Sequence, residues 1–129
     1  MVSPAPTTPA PMRQSIPREQ LVGALDRLQA ARIGASEAGD DYSASMLTLP
    51  FARNLLTVGR LDEASAALVP ATAFFRDKAM SPYLAHALEL SAEIAEAAGR
   101  EDEATAARTE AMGLRAVLHA AGHAQGMHA

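Results

Sequence analysis

No cysteine occurs in the 129 residues. That excludes disulfide staples, thiolate zinc sites and a thiol nucleophile together. Tryptophan is missing as well, and aromatics make up 4 % of the chain, so any interior must be assembled from aliphatic and small side chains. No run reaches the roughly 18 apolar residues of a membrane span. The N-terminus lacks a basic n-region and an apolar h-region, so no secretory signal is expected and a cytoplasmic location is the default. Positive charge is scarce: 11 Lys and Arg stand against 15 Asp and Glu, a formal net charge of -4. A phosphate backbone demands the opposite field, which argues against nucleic-acid binding through a basic face.

What the chain does contain is alanine, within a hydrophobic content of 49 %. Alanine adds little buried area, loses no side-chain entropy in a helix and lets helix axes approach closely. The length suits one domain and is short for two.

Read along its length, the chain divides into three parts. Residues 1–14 hold Pro4, Pro6, Pro9 and Pro11 among Ser, Thr and Ala, and predict a disordered, partly polyproline-II leader. Residues 15–122 predict a helical domain, and residues 123–129 a flexible His-containing tail. Within the domain, Ser15 is a candidate N-cap for a first helix carrying Leu21, Val22, Leu25 and Leu28. That helix runs to about Ile33, with a weak continuation towards Ala38 before Gly39. A second helix, Asp41 to Val58, turns Met46, Leu49, Ala52, Leu55 and Leu56 inward; Pro50 predicts a kink or a start near Thr48. The third, Asp62 to Ala79, has the stripe Ala64, Leu68, Ala71 and Phe75, with a bend at Pro70. Ser81-Pro82 predicts an N-cap followed by a first-turn proline, opening a fourth helix to Gly99. The fifth begins near Asp102 and stops at Gly122. No segment alternates with the period of a strand, so the chain is expected to be all-α, with about five antiparallel helices stacked as hairpins in a short α-solenoid.

An internal repeat organises this pattern. Gly59-Arg60-Leu61-Asp62-Glu63-Ala64 recurs as Gly99-Arg100-Glu101-Asp102-Glu103-Ala104, and Ala52, Ala67 and Ala71 recur as Ala92, Ala107 and Ala111. The glycine ends one helix, Asp opens the next with its carboxylate on orphan N–H groups, and the small alanine permits close contact.

These residues resemble the tetratricopeptide repeat, over about residues 45 to 116. The family's period is shorter, near 34, and its large first-helix aromatics are missing here; Arg108 stands where the first copy has Leu68. The resemblance implies a non-enzymatic protein-interaction module in which the first helix of each repeat lines a concave groove. Carried over, the groove residues are Met46, Leu49, Arg53 and Leu56 from the second helix, and His86, Glu89, Glu93 and Glu96 from the fourth. One half would be apolar and the other acidic. Glu89–Glu93 and Glu93–Glu96 are same-face neighbours, and like charges so placed cost a helix roughly 0.2–0.5 kcal/mol per pair. The stripe therefore reads either as a solvated face neutralised by Arg53 or Arg100, or as a surface for a basic, amphipathic protein segment.

Two repeats and a half are few for a continuous core, so either Phe74, Leu114, Val117 and Leu118 leave apolar area for self-association into a homodimer or docking on a larger regulator, or the first helix simply caps the stack. His119, His123 and His128 lack the H-E-x-x-H pattern and read as a frayed tail, with no metal site expected. His86 beside Glu89 has no nucleophile or oxyanion donors near it, so neither catalysis nor a cofactor is expected.

Overall fold

The computed structural model describes residues 16–127, with side chains through residue 122. Five helices follow one another: α1 (Arg18–Glu37), α2 (Asp41–Thr57), α3 (Leu61–Asp77), α4 (Ser81–Ala97) and α5 (Glu101–Met127). Among the described residues there is no strand. From α2 onward each helix starts 20 residues after the last, so the forty-residue repeat is built from two near-equal steps.

The turns explain that regularity. In each of them the chain takes one left-handed residue: Gly39 (φ 77°), Gly59 (φ 84°), Ala79 (φ 56°) and Gly99 (φ 79°). The following N–H reaches back to the helix it has left, from Asp40 to the Ala35 carbonyl, Arg60 to Leu55, Met80 to Phe75 and Arg100 to Ala95, all at 2.8–2.9 Å. This is the Schellman arrangement, which satisfies carbonyls a helix end would otherwise orphan. Three positions use glycine, which adopts positive φ without a Cβ clash; Ala79 does so at a cost.

Successive helices pack as antiparallel neighbours, and α2 also meets α4. The backbones of α1 and α3, and of α3 and α5, stay apart. The stack thus has an inner layer of α2 and α4 and a more widely spaced outer layer of α1, α3 and α5. Alanine sets the close approaches: Ala52, Ala64 and Ala71 and their repeat partners Ala92, Ala104 and Ala111 are all buried. Phe75, Leu55, Leu90 and Ile94 are the largest fully enclosed side chains, each stabilising the fold by roughly 1.5–3 kcal/mol through burial. Helix α4 lies deepest, with Leu84, Ala85, Ala87, Leu88, Leu90, Ala92, Ile94 and Ala95 buried, so it is covered on most of its circumference.

Several local expectations need correction. Ser15 and the leader lie outside the described residues; α1 follows Pro17 and continues past Ile33 through Gly34 to Glu37, the longer of the two ends the pattern allowed. Helix α2 does not start at Thr48 but runs unbroken through Pro50, as α3 does through Pro70. Both prolines are exposed, where water can take the carbonyl that the missing N–H leaves. Ser81 is not an N-cap: Met80 holds that position, Ser81 is the first helical residue and Pro82 the second. Neither does Asp62 cap α3, since Arg60 is the N-cap and has no side-chain capping bond. Arg60 instead ties the first turn down by donating from Nε to Glu63 at 2.6 Å, and Arg100 repeats this on Glu103 at 3.1 Å. Asp40 does cap, accepting from the Ser43 N–H at 3.0 Å, and that bond holds its carboxyl below the usual range. Finally, α5 passes Gly122 and reaches Met127. A glycine stops a helix when the chain must turn back there, and no described helix follows α5.

Candidate partner-binding site

Two surfaces merit description. The first is the face carried over from the repeat resemblance. Leu49 is buried, and Met46 and Leu56 are half-buried against the core, so the expected apolar half of the groove is largely interior. Arg53, His86, Glu93 and Glu96 are exposed and Glu89 is half-exposed. The acidic half is already neutralised. Glu93 accepts both terminal nitrogens of Arg53, at 2.7 and 2.9 Å, across α2 and α4. Glu89 receives Arg115 of α5 in the same two-pronged way, both bonds at 2.9 Å. Glu96 receives Arg108, also of α5, at 3.3 Å. Arg53 is thus the neutralising partner the sequence suggested for this stripe, whereas Arg100 turns instead to Glu103. The Arg115 hydrogen bond lowers the Glu89 carboxyl's pKa from its ordinary value, and the Arg53 hydrogen bond does so for Glu93.

The second surface was not anticipated. Because α1 and α3 stand apart, a cleft of about 650 Å³ opens between them with α2 as its floor. The floor is Ala44, Ser45 and Thr48, and Ile33, Pro70 and Phe74 make apolar walls. Forty residues later the same positions of α4 are Leu84, Ala85 and Leu88, all buried. The corresponding cleft of the second copy, along Val69, Thr72, Ala73, Arg76 and Leu88, is smaller, about 330 Å³, where the first copy has an alanine and two hydroxyls in place of its leucines.

Arg32 enters the cleft from α1. Its guanidinium lies 4.3 Å from the centre of the Phe51 ring, its Nε donates to Thr48 Oγ1 at 2.9 Å, and Nη1 donates to Gln29. Thr48 in turn donates to the Ala44 carbonyl at 2.8 Å, so the arrangement is fixed from below. Only two of the five N–H donors of a guanidinium are thereby used. No carboxylate of the described residues lies within ion-pair distance of Arg32. Partial burial lowers the guanidinium's pKa from its usual value. Ser45 is 7 % exposed, and its hydroxyl makes no hydrogen bond among the described residues.

Nothing in the sequence pattern pointed to Arg32, because its isolation depends on which side chains surround it. Phe51 and Thr48 were missed for a related reason: they flank the stripe assigned as inward and are buried with it. Elsewhere, no three His, Cys, Asp or Glu side chains of the described residues gather as a metal would require. His119 is exposed on α5; the side chains of His123 and His128 lie outside the described residues. Among the described residues no helix is long and apolar enough to cross a membrane. Compared with protein-family models, curated proteins and solved structures, the chain matches none.

Proposed function

We propose that this chain is a non-enzymatic, cytoplasmic interaction module that holds a segment of a partner protein against its stacked helical hairpins. The observation that carries the reading is the larger α1–α3 cleft over Ala44, Ser45 and Thr48, about 650 Å³, set against about 330 Å³ beside Leu88 in the second copy. Packing alone favours the leucines, each worth roughly 1.5–3 kcal/mol when buried, so the smaller, polar set forgoes stability. The tetratricopeptide likeness supports the same reading through the recurring Gly-Arg-x-Asp-Glu-Ala turn, with its left-handed Gly59 and Gly99. A basic amphipathic segment on the Glu89–Glu93–Glu96 face is the less supported form, because such a partner must first displace Arg115, Arg53 and Arg108.

The test is amide shift mapping of the isotope-labelled chain against three peptide classes: basic amphipathic, acidic with apolar neighbours, and neutral. The expected outcome is saturable shifts confined to one face with one class. Absence of shifts with all three at millimolar concentration overturns the proposal.

A second reading, self-association, is favoured by Met112 and Val117 of α5, 65 % and 69 % exposed. Sedimentation across a concentration series separates it, since a stable dimer at micromolar concentration supports it and a monomer throughout rejects it.

A further inference from the structure

We infer that the α1–α3 cleft is a binding site for an extended peptide segment that places a carboxylate on Arg32 and, about three residues away, a basic side chain near Asp41. The inference deepens the interaction-module reading and rests on it. Four observations carry it. Arg32 is held by Gln29, Thr48 and the Phe51 ring, all neutral, with three N–H donors unused. Fixing a guanidinium in advance lowers the entropy lost when a carboxylate takes its remaining fork. Ser45 supplies a second donor: the residue is 7 % exposed and lines the cleft, and no buried side-chain polar atom of the described residues lacks a partner, so its unpaired hydroxyl is open to the cleft. The walls between Ile33, Ala44 and Phe74 are apolar and suit a leucine-like side chain. Asp41 lines the opposite end, seven helical residues from Thr48, about 10 Å at a rise of 1.5 Å each.

The distance between the two ends sets the spacing of the charges on an extended occupant. An extended segment advances about 3.3 Å per residue, so three residues span the interval between the Arg32 and Asp41 ends. The sequence class is therefore acid, apolar, any residue, base. The chain's own residues 1–15 contain no Asp or Glu and cannot supply that carboxylate from a side chain, and we assign it to a partner protein.

The experiment uses the acetylated, amidated peptide Ala-Glu-Leu-Ala-Lys-Ala and its twin with Gln for Glu, titrated into the full chain with amide shift mapping. Shifts should centre on Arg32, Ser45, Thr48 and Phe74, and the Gln twin should bind about tenfold more weakly, the loss of one charge-assisted contact. Arg32→Gln should cause the same loss, while Arg115→Gln, on the far side of the stack, should not. Because Arg32→Gln also removes the contact with Phe51, the exposed cleft residue Ala73→Phe provides a second variant that obstructs the cleft without entering the core. It should abolish the shifts with the helical spectrum unchanged. Equal affinity for the two peptides, or shifts on α4 and α5 instead, overturns the inference. If a basic amphipathic peptide binds the α4 glutamates while this hexapeptide gives no shifts, the inference falls and the module reading stands. If no peptide class binds, both fall.

Discussion

Helices α3 and α5 occupy equivalent places in the two copies, yet the stripe Ala64–Leu68–Ala71–Phe75 of one becomes Ala104–Arg108–Ala111–Arg115 in the other. The alanines are buried in both. The two large positions diverge completely: Leu68 and Phe75 are enclosed, whereas Arg108 and Arg115 lie on the surface with their charges on Glu96 and Glu89. The difference follows from position. Helix α3 has α4 after it to cover its stripe, and the described chain offers α5 no such cover. An apolar stripe left uncovered would expose a template for another copy, and the two arginines replace it with paired charge. Two acids of the α4 stripe thus serve to hold α5 against its neighbour.

The comparison can be broken most severely by exchanging the residues. Phe75→Arg brings the α5 residue into a site with no exposure and no carboxylate partner. The expected loss exceeds about 4 kcal/mol, combining a vanished aromatic with a buried charge, and chemical denaturation should find the variant unfolded or nearly so. The reverse exchange, Arg108→Leu with Arg115→Phe, should leave the chain folded but create an apolar end face. Each new side chain gains roughly 1.5–3 kcal/mol by finding cover, so sedimentation should show stronger concentration-dependent self-association than the parent.

A smaller effect tests the turns. Ala79 occupies the left-handed position that glycine holds at residues 39, 59 and 99. Ala79→Gly should raise stability by about 1 kcal/mol, read as a higher denaturation midpoint with an unchanged slope. The smallest effect belongs to the surface pairs. Glu89 and Glu93 have folded-state pKa values below the ordinary carboxylate value, chiefly through the hydrogen bonds from Arg115 and Arg53. Their contribution is complete above about pH 4.3, the ordinary glutamate value, and is lost as pH falls through the depressed values. Both are more than a third exposed, so each pair is worth only about 0.2–1 kcal/mol. Melting temperature should decline below that pH, and Glu89→Gln with Glu93→Gln should shallow the decline.

Much of the architecture was legible in the chain's own pattern. The stripe from Ala64 to Phe75 has helical spacing, and Gly59 and Gly99 mark turns that the structure places at positive φ. The twenty-residue step was hidden because one of its four turn positions carries Ala79, which has no preference for that conformation. Arg115 and Glu89 are 26 residues apart on different helices, so a pattern along one helix displays the acids without their partners. The cleft was least visible of all, for it consists of side chains too small to fill a space. Only the comparison of Ala44 and Thr48 with Leu84 and Leu88, once both are placed, reveals what is missing there.

The even stride of the helix starts has a consequence for how such a chain can grow. Adding one helix and its turn would reverse the direction of everything downstream and move former inner-layer helices to the outer one. Adding two preserves every facing surface, including the charged terminus on α5. A molecule on this plan lengthens safely only in whole hairpins, inserted ahead of its last one.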